Sequence, residues 1–182
     1  ILAISYKRDS AANLARRVAD RVPEHADRFV SLTFDAFTKG LVDRFRSALP
    51  QPWTLNGSYE IEFWTQRDQR DFVTGVAQSA SGKLQLDIFR LPGATFLADI
   101  VGDQALPVDP GRPVTAAADY AALAWWREHY LRPGTQYVDF VMLNRLAELL
   151  VRSRPQLRRA LRITYPYVFV DEFQDTTSAQ LS

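Results

Sequence analysis

Two apolar runs near the start of the chain, Ile1 to Ser5 and Phe29 to Thr33, are each followed by residues whose apolar side chains recur at helical spacing. A short strand that is apolar throughout is buried on both faces, and strands that alternate with helices pack as neighbours in a parallel sheet. After the first run, Asp9 or Ser10 is placed to cap a helix carrying Leu14, Val18 and Val22 at four-residue intervals and ending before Pro23. Arg16, Arg17 and Arg21 fall on its outer faces. After the second run, Thr33 is placed to cap a helix with Phe34, Phe37, Leu41 and Phe45 on one stripe, and Asp35 in its first turn suits the helix dipole. This alternation predicts a right-handed parallel α/β unit.

Pro50-Gln51-Pro52 interrupts the pattern. Beyond it, Gln66 to Val76 reads as a helix, Leu91-Pro92-Gly93 as a turn, and Leu106 to Pro113 as an exposed connection. Thr115 to Tyr130 is an alanine-rich helix carrying Tyr120, Leu123 and Trp126. Asp139 is placed to cap another, with Val141, Leu143, Leu146, Leu149 and Leu150 inward, and Pro155 starts a short one through about Leu161. The stretch reads as a mostly helical insertion, with the α/β pattern resuming at Tyr165.

Composition narrows the chemistry. Of 182 residues 47% are hydrophobic, enough for a core, and the net charge of +1 means that any nucleic-acid site is a local patch. The absence of cysteine excludes disulfides, thiolate zinc sites and iron–sulfur clusters. No apolar run reaches the ~18 residues of a membrane span, and no signal-peptide pattern is present, so the expected location is cytoplasmic. Ile1 opens inside a strand and Ser182 closes inside a helix-like stretch, which predicts a piece of a larger protein.

Tyr167-Val168-Phe169-Val170 is again an apolar run, predicted to be a strand buried on both faces, and Asp171-Glu172 follows it directly. Ligands of open α/β sheets bind at the carboxyl ends of strands. One carboxylate there can hold Mg²⁺ through its waters, and its neighbour can orient or deprotonate an attacking water, as nucleoside-triphosphate hydrolysis requires. A solvated acidic turn after a strand has the same composition, so the pair alone leaves both readings open.

The longer string Asp171-Glu172-Phe173-Gln174-Asp175-Thr176 resembles the Walker B box of superfamily 1 DNA helicases of the UvrD/Rep/PcrA type. Ile1 to Ala12 is similar to motif Ia of that family, in which a strand ends in Thr-Phe-Thr-Asn-Lys. Ser5 matches the threonine and Tyr6 the aromatic that stacks on a base, whereas Lys7, Arg8 and Asp9 depart from the motif. Leu32 to Phe37 is similar to motif Ib, usually Thr-Phe-His-Ser-Phe, with Thr33 and Phe34 in place and Asp35 where the family has histidine. A carboxylate there is unfavourable beside a phosphate.

The resemblance implies a partial RecA-like motor domain of the P-loop NTPase type over residues 1–49 and 163–182, interrupted by a mostly helical 1B-like insertion over 50–162. It implies ATP and Mg²⁺ as cofactors, single-stranded and duplex DNA as partners, and a role in DNA repair. Asp171 would bind the metal, Glu172 would activate water, and Gln174 would couple the nucleotide site to its surroundings. Ser5, Tyr6, Thr33 and Phe34 would line the DNA track.

No Gly-x-x-x-x-Gly-Lys-Ser/Thr loop occurs, and Ser81-Gly82-Lys83 lacks the glycine turn that cradles phosphates. The expectation is therefore a helicase fragment that is inactive by itself, with the Walker A segment and second motor domain supplied by the rest of the protein. A sheet lacking the phosphate-loop strand would leave the edge of Tyr167 to Val170 open, to be covered by another copy, by a rearranged segment or by absent chain. Two rivals are a metal-dependent nuclease using Asp171, Glu172 and Asp175, and a non-catalytic DNA-binding or interaction module. The arginines at 152, 154, 158, 159 and 162 fit either a phosphate patch or a solvated helix face. Trp53, Trp64, Trp125 and Trp126 read as core, and His25 and His129 as structural or exposed.

Overall fold

The computed structural model describes residues 1–55, 57–107 and 109–171. In chain order the elements are β1 (Leu2–Ser5), α1 (Arg8–Arg21), β2 (Val30–Thr33), α2 (Phe34–Phe45), β3 (Tyr59–Ile61), α3 (Gln66–Ser79), α4 (Gly82–Phe89), a π-helical turn (Leu97–Val101), α5 (Ala117–His129), β4 (Gln136–Val138), α6 (Phe140–Ser153), α7 (Pro155–Thr164) and β5 (Val168–Val170). Short 3₁₀ turns follow α1 and α2 and precede the π turn. Among the described residues no helix is long and apolar enough to cross a membrane.

The anticipated parallel α/β sheet is present. Its order is β2-β1-β5, all parallel, with Leu2 opposite both Val30 and Val168. β1 is the central strand and all four of its residues are buried. α1 and α2 pack against β1 and β2. β5 departs from expectation: Val168 is 52% exposed and Phe169 60%, so the strand is not buried on both faces. It hydrogen-bonds to β1 on one side, but β1 is its only strand neighbour among the described residues, and the two packed helices lie over the other two strands.

Local chemistry sets most helix starts. Thr33 Oγ1 accepts from the Ala36 N–H at 3.1 Å at the head of α2. At α3, Thr65 and Asp68 form a reciprocal capping box, and Pro155 supplies the first turn of α7. α1, α4 and α5 start without a side-chain cap. The N-cap of α1 is Lys7, so neither Asp9 nor Ser10 caps it, and Val22 lies exposed beyond its end. On α2 the stripe is rotated from that predicted, with Thr38, Leu41 and Val42 buried and the three phenylalanines only half so.

A larger apolar core is built on α3, α5 and α6. Trp53, Trp125, Trp126 and Tyr130 lie at its centre with Leu143, Leu146 and Leu149, and Val42 of α2 joins it. The tryptophans pack edge to face, Trp53 on Trp126 at 5.3 Å and Trp64 on Trp125 at 4.9 Å. Val141, expected inward, is half-buried, and Met142 lies inside in its stead. This region also holds a second parallel pair, β3 with β4, which places Tyr59 opposite Gln136. The π turn closes with the Gly102 N–H donating to the Leu97 carbonyl at 2.7 Å. A Cβ at Gly102 would stand 2.5 Å from the Ala98 carbonyl oxygen, so only glycine fits there.

Asp139 caps α6 as predicted, accepting from the Met142 N–H at 2.7 Å. Its carboxyl is nevertheless buried, and that burial pushes its pKa up from 3.8 to about 6, against the pull of backbone N–H groups and with a further push from Asp35. A raised carboxylate pKa means that the folded state binds the proton more tightly than the unfolded chain. Holding the charged form therefore costs stability above pH 6, and that cost is relieved as the pH falls from about 6 toward 4. At about 1.4 kcal/mol per pKa unit, the two-unit shift amounts to at most about 3 kcal/mol. Asp139→Asn keeps the cap and removes the charge. It is expected to be more stable than wild type at pH 7.5 and no more stable at pH 4.5, as urea melts at both pH values would record. A pH-independent difference would reject this account.

Candidate functional site

The parallel sheet presents three strand ends at one rim. Ser5 ends β1 opposite Thr33, which ends β2, and Ile4 lies opposite Val170, so Ser5 and Asp171 are the next residues along on either side. The Asp171 N–H donates to the Ile4 carbonyl at 2.8 Å and holds this register one residue past the strand. Thr33, Ser5 and Asp171 therefore stand abreast on the carboxyl edge, with adjacent strands about 4.8 Å apart. Tyr6 and Phe34 follow directly, both half-exposed. Glu172, Gln174 and Asp175 lie outside the described residues.

Asp171 is exposed at the end of a cleft of about 430 Å³ between α1 and β5. Ser10, Asn13 and Arg17 of α1 line the same cleft, with Phe169 and Val170 opposite. These three polar residues recur three and four apart, so one helical face brings them together. From the sequence, Arg17 falls with Arg16 and Arg21 mainly on the outer faces of this helix, and Ser10 is one of two cap candidates beside Asp9. The spacing carried the signal, but only the position of β5 shows what it faces. Ser5 contributes a buried hydroxyl, 1% exposed, whose Oγ has no hydrogen-bond partner among the described residues.

Among the described residues no group of three or more His, Cys, Asp or Glu could hold a metal. Among the described residues the three strand ends at the rim offer one carboxylate, that of Asp171. That fits Mg²⁺, which keeps most of its waters and is held through one or two carboxylates together with substrate phosphates, rather than by a protein cage.

At the β2 end, the Thr33 hydroxyl accepts from Ala36 and still has its own proton to donate. One turn on, Thr38 Oγ1 donates to Asn144 Oδ1 of α6 at 2.7 Å. Asn144 also hydrogen-bonds the Asp35 carboxyl. Burial raises the Asp35 pKa, partly offset by that bond and by the Arg8 guanidinium. The acid in the first turn of α2 thus has partners within the chain. The cation that favours its charged form, Arg8, opens α1 just after β1.

The arginine cluster divides. Arg152 pairs with Glu148 at 3.2 Å and donates to the Leu106 carbonyl, and Arg154 donates to that of Ala48. Arg158, Arg159 and Arg162 are exposed on α7. Trp53, Trp125 and Trp126 are buried and Trp64 half-buried, as a core role requires. His25 is exposed. His129 is half-buried against Trp125 and Trp64, and burial lowers its pKa to about 4, with Arg132 adding to the shift.

The family model of the UvrD/REP helicase N-terminal domain matches residues 1–182, the whole chain. No curated protein matches it significantly.

Proposed function

The chain belongs to the UvrD/REP helicase N-terminal domain family, and from that membership we propose that it forms the Walker B half of an ATP-driven motor moving on single-stranded DNA. A helicase-type function, with DNA and nucleotide as ligands, comes with the family. The finer reading rests on one observation. Thr33 and Ser5, the candidate DNA-track residues, share a strand-end rim with Asp171, the candidate metal ligand.

Bound Mg²⁺–ATP would supply the phosphoanhydride bond whose hydrolysis drives movement. Asp171 would accept hydrogen bonds from the waters around the cation. Glu172 would orient the attacking water and take its proton, and Gln174 would relay the state of the nucleotide to the neighbouring rim. Tyr6 would stack on a base, Phe34 would pack beside it, and the Thr33 hydroxyl would donate to a phosphate. In this reading residues 1–49 and 163–182 are motor and 50–162 an inserted subdomain, in a cytoplasmic protein whose phosphate loop and second motor domain lie elsewhere. Duplex DNA ahead of the track completes the partners.

Base stacking on an aromatic contributes about 1–3 kcal/mol per base. Tyr6→Ala in the intact motor is therefore expected to weaken binding of single-stranded DNA roughly 5- to 150-fold, whatever the base sequence. Fluorescence anisotropy with oligo-dT and a mixed-sequence strand measures it. Unchanged affinity for both strands would remove Tyr6 from the track.

A further inference from the structure

A groove of about 710 Å³ opens between α3 and α5, remote in sequence from the strand-end rim. Its walls carry the carboxylates of Glu62, Asp71 and Glu128. Glu62 and Glu128 have no ion pair among the described residues, and Asp71 meets only Arg67, at 3.6 Å with both side chains solvent-exposed. His129 also lines the groove, but its low pKa keeps it neutral at pH 7, so it supplies no balancing positive charge. Exposed carboxylates that lack cations set a negative field in a concave site, which attracts cations and repels phosphates.

The groove also has an aromatic wall. Trp64 and Phe72 are half-buried and held edge-on by the buried Trp125, at 4.9 and 4.6 Å between ring centres. Rings fixed in this way offer a preorganised surface to a planar cation. A guanidinium stacks on such rings and pairs with carboxylates through its fork of N–H donors, whereas an ammonium does so less well.

Gly75 is the third feature. It lies in the interior of α3 on the groove wall, where alanine would favour the helix. A Cβ built on it meets nothing within 4 Å, so among the described residues no packing requires glycine there. Its bare backbone leaves room for another chain to approach closely.

We infer that the groove between α3 and α5 docks an arginine-bearing segment of a partner protein. The guanidinium lies against Trp64 and Phe72, Glu62, Asp71 and Glu128 match its charge, and the partner backbone passes over Gly75. This assignment does not rest on the motor reading, because none of its residues belongs to the strand-end rim.

The 182-residue chain titrated with a hexa-arginine peptide tests it, followed through the Trp64 indole N–H resonance. Saturable binding is expected, stronger than for hexa-lysine. Glu62→Gln with Glu128→Gln is expected to weaken it about fivefold, the sum of two exposed charge pairs. Gly75→Ala is expected to raise the melting temperature and yet weaken binding, a combination that a purely structural glycine would not produce. Glu24→Gln, an exposed acid outside the groove, leaves the affinity unchanged. The inference is overturned if Trp64 does not respond saturably, if either groove variant binds as wild type does, or if an oligonucleotide moves the Trp64 resonance as the peptide does.

Discussion

Glu172→Gln in the intact motor is expected to lower ATP hydrolysis by a factor of about 10²–10⁴, the usual contribution of a positioned general base. Nucleotide binding should persist, because glutamine matches glutamate in size and hydrogen-bonding reach but cannot accept a proton from water. In sequence Glu172 directly follows Asp171, whose backbone N–H is tied to the Ile4 carbonyl at the sheet rim. Phosphate release in steady state, together with a fluorescent-nucleotide titration, separates the two effects. Turnover near wild type would strip Glu172 of its role. The 182-residue chain assayed alone should show no turnover, since it contains no phosphate loop.

The second large effect concerns stability. Trp53→Ala is expected to destabilise the chain by about 3–5 kcal/mol, the range for truncating a large buried aromatic. Trp53 is fully buried. Its Nε1 donates to the Pro107 carbonyl at 2.8 Å, its own carbonyl accepts from the Tyr130 hydroxyl at 2.5 Å, and its ring packs on Trp126 and Tyr130. Truncation removes the ring contacts, empties the centre of the core and leaves the Pro107 carbonyl without its donor. For a chain of this size the loss corresponds to a fall in melting temperature of roughly 6–20 °C. Calorimetry would measure it, and a fall of under 2 °C would show that Trp53 is not central to the core.

What was legible in the sequence was what neighbouring residues decide among themselves. Thr33 and Asp139 cap their helices because a hydroxyl or carboxylate three residues ahead of a free N–H needs nothing else. β1 and β2 follow from their apolar runs, and so does the placing of Ser5 and Thr33 at their carboxyl ends. Contacts between distant segments were not legible. The exposure of β5 depends on which helices cover it, which its own three apolar residues cannot state. β3 and β4 are three residues each and lie far apart in the chain, too short for alternation to register. The π turn shows only as a glycine, Gly102, whose need appears once its neighbours are in place. The acidic groove draws its lining from separated segments, so no single run announces it.

Asn144 has one more consequence. It grips α2 at both Thr38 and Asp35, within a helical turn or so of Thr33, and it rides on α6, whose other side chains anchor the tryptophan-rich core. Hydrogen bonds weaken steeply with a few tenths of an ångström of slip. A shift of α6 must therefore either break this clasp or drag the first turn of α2 with it. The helical body is thereby tied to the opening turns of α2, next to the end of β2 at Thr33.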